Sequence, residues 1–154
     1  MNLVTYIGLN VLLTLAVAVF MEGVAWFAHK YVMHGFLWVL HKDHHSPTHR
    51  GWQKNDLFAV FFSLVSMGLI VTGVLRWQLP WVAVGLGMAL YGVGYVLFHD
   101  VMFHRRIPAI RIRPGTRYLQ RIVRAHAIHH QQSKGRAGGV AFGFLYAGSK
   151  YDKT

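Results

Sequence analysis

The chain has 154 residues, room for one domain, with 54% hydrophobic residues, no cysteine and a formal net charge of +11. The lack of cysteine excludes disulfides, thiolate metal sites and cysteine nucleophiles, and so apolar a composition on so short a chain argues against a soluble globular protein. A charge of +11 suggests nucleic acid only if the basic residues form a patch, so their placement decides.

Three apolar stretches follow one another, residues 3–27, 57–75 and 81–98. A bilayer needs about 20 residues at a rise of 1.5 Å each, so each stretch is a candidate transmembrane helix. Only Glu22 carries charge inside them. The first is too long for a signal-peptide core and has neither a basic flank nor a small-x-small cleavage site, so it is expected to remain in the protein. The five-residue link RWQLP makes the second and third spans an antiparallel hairpin. Trp26, Phe27, Tyr31, Phe36 and Trp38 read as an interfacial aromatic belt or as the lining of a channel.

The segment IPAIRIRPGTRY, with two prolines and a glycine, reads as a linker. It leads to an amphipathic helix over residues 118–131, with Leu119, Ile122, Val123, His126 and His130 on one side. GVAFGFLYA is too short to span a membrane and offers no side chain with evident chemistry; the tail SKYDKT is expected to be unstructured. The fold expected is all-α: one membrane-embedded domain over residues 1–154, a bundle of about three transmembrane helices with room for a fourth, and a cytoplasmic His-rich helical cap.

Fifteen of the sixteen Lys and Arg residues fall on one side of these spans, Arg76 being the exception. The positive-inside rule places that side in the cytoplasm and the N-terminus outside. Charge sorted by topology needs no nucleic acid to explain it, and no nucleic-acid partner is expected. Arg105, Arg106, Arg111, Arg113, Arg117, Arg121 and Arg124 are suited to anionic lipid headgroups. All eleven histidines lie at or beyond the cytoplasmic ends of the spans.

Ten of them form four clusters in the order His29-x4-His34, His41-x2-His44-His45, His99-x4-His104 and His126-x2-His129-His130. Positions i, i+3 and i+4 of an α-helix lie within about 100° of one another, so each His-x2-His-His can aim three imidazoles from one face. A spacing of five puts side chains about 140° apart on a regular helix, so either the helix is distorted there or each histidine serves a different metal. Four to six ligands satisfy a typical first-row ion, so ten imidazoles suggest two ions with about five ligands each. Imidazole suits Fe, Zn, Cu and Ni alike, although structural zinc closes with four ligands. His49 belongs to no cluster and is expected to be a solvated loop residue.

The four-cluster order, with AHKYVMHGFLWVLHKDHH near the start and RAHAIHHQQ and GGVAFGFLYA near the end, resembles the bacterial β-carotene 3-hydroxylases. These belong to the fatty-acid hydroxylase and sterol desaturase superfamily of membrane diiron oxygenases. The resemblance implies a non-haem centre of two iron ions, O2 as co-substrate, and hydroxylation of β-ionone rings at C3, carrying β-carotene through β-cryptoxanthin to zeaxanthin. It implies as metal ligands His29, His34, His41, His44, His45, His99, His104, His126, His129 and His130. The third cluster reads HDVMFH, with Val101 where a small residue, often glycine, is expected. A bacterial inner-membrane location and a lipid-dissolved carotenoid substrate follow from the same resemblance.

Two electrons per turnover must come from a separate donor, of the ferredoxin and ferredoxin-reductase type, because the chain has no dinucleotide fingerprint and no cysteine for an Fe–S cluster. Metal-bound histidines usually give their second N–H to an oxygen, which makes Asp43, Asp100 and Glu22 candidate hydrogen-bond partners, Glu22 for His29. Related activities would use a similar scaffold: a diiron carotenoid ketolase, or a fatty-acyl desaturase or hydroxylase. Outside enzymes, a His-rich metal transporter or sensor is the rival, but a transporter should carry polar ligands near the bilayer midplane, where these spans are apolar.

Overall fold

The computed structural model describes residues 1–46, 51–132 and 140–152. Among the described residues there is no strand. The helices are α1 (Leu3–Phe27), α2 (Trp38–His41), α3 (Asp56–Leu75), α4 (Leu79–Tyr95) and α5 (Arg117–Gln132), with π-helical segments π1 (Ala28–Phe36) and π2 (Val96–Phe103) continuing directly from α1 and α4. Three helices are long and apolar enough to cross a membrane, Leu3–Phe36, Asp56–Leu75 and Leu79–Phe103. They match the expected spans, but the first and third run on into the histidine pairs.

The chain divides into two compact units. The first, Met1–Met21 with Phe58–Val93, contains most of the apolar helical length. Lipid tails give apolar helices no reason to associate, so such helices pack where small residues let backbones approach and where polar side chains bridge them. Both devices are present. A methyl group at Gly85 would lie 2.7 Å from the Ser66 carbonyl oxygen, and one at Gly87 2.6 Å from that of Thr14. The hydroxyl of Ser66 donates to the Gly85 carbonyl at 2.8 Å and that of Thr14 to the Ala83 carbonyl at 3.1 Å.

The second unit, Glu22–Leu57 with Gly94–Thr154, contains every clustered histidine. Its apolar core is Met102, Ile122, Ala125, Ala147 and Tyr151, with Phe98, Phe103, Leu119, Val123 and Ile128 packed against it. Helix α5 begins at the expected place: the Thr116 hydroxyl accepts the Leu119 N–H at 3.2 Å and satisfies one of the donors a helix start leaves open. The C-terminal tail departs from expectation. Ser149–Tyr151 forms a 3-10 turn, Tyr151 is buried in the core, and Arg124 donates to the Asp152 carbonyl at 3.1 Å. An aromatic side chain with an apolar surface to cover outweighs the polar composition around it.

Candidate metal centre

The ten clustered histidines come together in the second unit. One ring nitrogen from each of His29, His34, His41, His45 and His129 lies within 4.8 Å of the others, and the same holds for His44, His104, His126 and His130. His99 joins the second group, with its Nε2 3.1 Å from that of His44. The two groups abut, since the rings of His45 and His130 stack with centroids 4.3 Å apart. His49 lies outside the described residues.

The two histidine groups exchange one residue. Each His-x4-His pair stays in one group, and each His-x2-His-His motif contributes its first and last histidine to that same group. The middle histidine, His44 or His129, joins the opposite group. The three rings of each motif are therefore divided between the two groups. In the first motif the cause is local: α2 ends at His41, and residues 42–45 continue as turns, with the His44 N–H bonded to the His41 carbonyl at 3.0 Å. In the second motif α5 is regular, and its three rings fan across both groups.

The spacing of five is also explained. His29 and His34 lie in π1 and His99 in π2, with His104 the residue that closes π2; in such backbone each N–H reaches five residues back, and the His104 N–H bonds the His99 carbonyl at 3.0 Å. That register brings residues i and i+5 over one another. The rings of His29 and His34 stand 5.0 Å apart, and those of His99 and His104 4.6 Å apart. The helix is distorted, and each pair serves one group. In π1 the run breaks at Gly35, whose backbone leaves helical space (φ −96°, ψ −124°) and turns the chain into α2.

Five rings are oriented by oxygen acceptors for their Nδ1–H. His29 donates to the Phe142 carbonyl at 2.8 Å, His41 to Asn55 Oδ1 at 2.6 Å, and His44 to Gln53 Oε1 at 2.8 Å. His99 donates to Asp100 Oδ1 at 2.9 Å and His129 to the Val140 carbonyl at 2.9 Å. With the proton on Nδ1, each Nε2 presents a lone pair. Of the acidic candidates, Asp100 meets its histidine directly. Asp43 Oδ2 accepts the Lys54 N–H at 2.7 Å, and Glu22 bonds the backbone of residues 145 and 146, so both meet the loops that hold acceptors. Gln53, Asn55 and the carbonyls of Val140 and Phe142 were not expected from the sequence. Val101, in the position where a small residue was expected, is almost wholly buried.

The residues fit a metal. His29 and His41 face each other through Nε2 at 3.1 Å, as do His44 and His99. In all four, Nδ1 already donates, so each contact sets lone pair against lone pair and is repulsive unless a cation lies between. Two nitrogens bound at about 2.1 Å to one first-row ion stand about 3.0 Å apart in cis octahedral and about 3.4 Å apart in tetrahedral geometry. The closest nitrogen pairs here span 2.7 to 3.3 Å. Nε2 of His130 is also buried without a hydrogen-bond partner.

A proton is a poor substitute for that cation. Burial, followed by repulsion from neighbouring imidazoles, lowers His44 and His45 to about 3, and burial lowers His104 and His129 to about 4. His41, His126 and His130 are pushed down for the same reasons. Unfolded histidine titrates near pH 6.5. Below about pH 6.5 the unfolded chain takes up protons that the folded site refuses, so stability falls as pH drops towards 4 and 3. Metal retention falls in the same direction, because protons compete for the ligand nitrogens. Thermal unfolding of the metal-free protein measured against pH tests this. A midpoint unchanged between about pH 6.5 and 4 would contradict neutral, buried rings. A cavity of about 760 Å³ opens onto His45 of one group and onto His44, His104 and His130 of the other, giving a reactant a path to both.

Comparison with known proteins agrees with this geometry. The fatty acid hydroxylase family profile matches residues 14–148. The chain is 44% identical to a β-carotene hydroxylase of Pseudescherichia vulneris over 139 residues, which is 90% of this chain and 77% of that protein. It is 42% identical to one from Pantoea ananas with the same coverage, and 38% identical to one from Paracoccus sp. (strain PC1) over 88% of this chain and 83% of that protein. No solved structure matches it significantly. With three helices able to cross a bilayer, two adjoining sets of buried histidines and these relatives, the chain belongs to the fatty acid hydroxylase family, in its branch of integral membrane β-carotene hydroxylases.

Proposed function

We propose that this chain hydroxylates the β-ionone rings of carotenoids at C3, converting β-carotene through β-cryptoxanthin to zeaxanthin, at a non-haem diiron centre. The observation that carries this reading is the pairing of two adjoining five-imidazole sets with relatives named as β-carotene hydroxylases. One iron is held by His29, His34, His41, His45 and His129, and the other by His44, His99, His104, His126 and His130. Iron so bound supplies the reduction of O2 and the insertion of one of its atoms into a C–H bond, the other atom leaving as water after two electrons and two protons are taken up.

The chain's own contribution is positioning. Gln53, Asn55, Asp100 and the carbonyls of Val140 and Phe142 fix five rings with Nε2 turned inward. Burial keeps the rings neutral and limits the water that reaches them. The substrate is a hydrocarbon dissolved in lipid, and a site at the ends of apolar helices meets its terminal ring without extracting it into water. Fifteen of sixteen basic residues flank the histidine-bearing ends, which supports a cytoplasmic site, an outer N-terminus and a place in a bacterial inner membrane. The same basic face suits an acidic donor of the ferredoxin type working with its reductase. The whole chain, residues 1–154, acts as one membrane domain in this reading.

Expression in cells that accumulate β-carotene, followed by pigment chromatography, tests the reaction. Zeaxanthin with β-cryptoxanthin as intermediate is expected. Echinenone or canthaxanthin would make the chain a ketolase, and unchanged β-carotene despite a competent donor would remove the assignment.

A further inference from the structure

GVAFGFLYA has no side chain with obvious chemistry, and Glu22 is the only charged residue in α1. The structure puts the two features together. Glu22 Oε1 accepts the N–H of Leu145 at 2.9 Å and that of Tyr146 at 3.3 Å. Residues 140–148 belong to no helix or strand, so their N–H groups have no ladder to join and need acceptors elsewhere. A carboxylate in an apolar helix is costly unless it is satisfied. Glu22 Oε1 thus serves two N–H groups of this stretch, and they help to satisfy its charge.

Glycine makes the approach possible. A Cβ at Gly143 would lie 2.5 Å from Glu22 Oε1, inside van der Waals contact, so the carboxylate occupies space that any larger residue at position 143 would take. On the far side of Gly143, Phe142 and Val140 give their carbonyls to Nδ1 of His29 and His129, and the Phe142 ring packs edge-on against both histidines. Ala141, between the two carbonyls, adopts left-handed backbone (φ +59°), which a non-glycine residue keeps only where its surroundings hold it. The Tyr118 hydroxyl donates to the Leu145 carbonyl and restrains the same stretch from the α5 side.

We propose that Glu22 is a positioning residue for the five-histidine group: by bonding Leu145 and Tyr146 across the space left by Gly143, it fixes the two carbonyls that orient His29 and His129. This rests on the reading that the group binds metal. The bonds to Leu145 and Tyr146 require an acceptor oxygen rather than a charge, because both donors are neutral N–H groups. Glu22→Gln therefore retains it, whereas Glu22→Ala removes the acceptor and Gly143→Ala displaces it.

The test is anaerobic titration of the purified, metal-stripped chain in nanodiscs with Co(II), followed by ligand-field absorption and by metal analysis. The unsubstituted chain is expected to bind two ions. In Glu22→Ala and in Gly143→Ala, one ion should bind roughly 10- to 100-fold more weakly while the other is unaffected. Glu22→Gln should bind both as the unsubstituted chain does. If Glu22→Ala fails to accumulate, Gly143→Ala, which adds a single methyl group, carries the comparison. Unchanged affinity at both sites in the alanine variants would overturn the role, and so would a Glu22→Gln variant as weak as Glu22→Ala. An unsubstituted chain that binds no ion would overturn the metal reading itself.

Discussion

His129→Ala and His44→Ala are each expected to abolish hydroxylation, and each should lower the metal content of the chain from two ions towards one. His129 has no exposed surface, its Nε2 stands 3.3 Å from that of His34, and its Nδ1 holds the Val140 carbonyl. Alanine would delete one of the five imidazoles, leave the half-buried Val140 carbonyl without this bond and open a void. Losing an outer hydrogen-bond partner of a ligand costs about 10- to 100-fold, so losing the ligand should cost more than about 100-fold in affinity. The exchange between halves makes the outcome specific. His44→Ala should empty the group of His99, His104, His126 and His130 while its sequence neighbours His41 and His45 keep their ion. His129→Ala should do the converse. Metal analysis with Co(II) spectra distinguishes the two, and His49→Ala, outside every cluster, should retain most activity. Equal damage from all three substitutions would mean that the ligand set is wrong.

The parts of this molecule that were legible in its sequence are those where one requirement dominates. Hydrocarbon demands an unbroken apolar run, so the start of α1 and the extent of α3 followed from composition alone. The histidine set was legible because repeated spacing in four places has little other cause. The π register was not legible: whether an N–H bonds four or five residues back is settled by what the side chains reach, and His29-x4-His34 left two alternatives standing. The division of the first His-x2-His-His motif was hidden because α2 stops at His41, and that of the second because rings from one regular helix can still reach two neighbouring groups.

The oxygen acceptors fall into two kinds. Val140 and Phe142 act through main-chain carbonyls, which every residue has, so their side chains could give no signal. Gln53 and Asn55 act through side chains, yet neutral amides in a connecting loop are ordinary. Their one distinguishing feature is position, two residues apart and just ahead of a span that opens with Asp56. Asp100 was a candidate because it adjoins His99, which it does bond, whereas its approach to Arg106 had no local signal. Glu22 was singled out as an acid in an apolar helix, but its partners are backbone N–H groups more than 120 residues further on, and no local pattern could have named them.

Arg106→Ala is the second substitution with a large expected effect, on stability and on one metal together. The guanidinium makes a two-pronged bond to Asp56, each prong 2.7 Å, donates to the Gly51 carbonyl at 2.7 Å, and approaches Asp100 at 3.4 Å. These side chains are only 15% to 18% exposed, so the ions are poorly hydrated and depend on each other. The hydrogen bond to Asp56 raises the affinity of Arg106 for its proton, so the charge is present at any working pH. Removing one member of a mostly buried ionic set leaves carboxylates uncompensated and costs about 3 kcal/mol, the low end of the usual range because some exposure remains. For a chain of this size that is a fall of roughly 6–12 °C in unfolding midpoint. The damage is directed. Asp56 also accepts the Gln53 N–H, Gln53 orients His44, and Asp100 orients His99. The two histidines face each other at 3.1 Å, so the ion they would share should bind more weakly than its neighbour. Arg106→Lys keeps the charge but not the planar fork, and should fall between alanine and the unsubstituted chain in both measurements. If Arg106→Ala kept its midpoint and both ions, the polar network around Asp56 would have no part in holding His44 and His99.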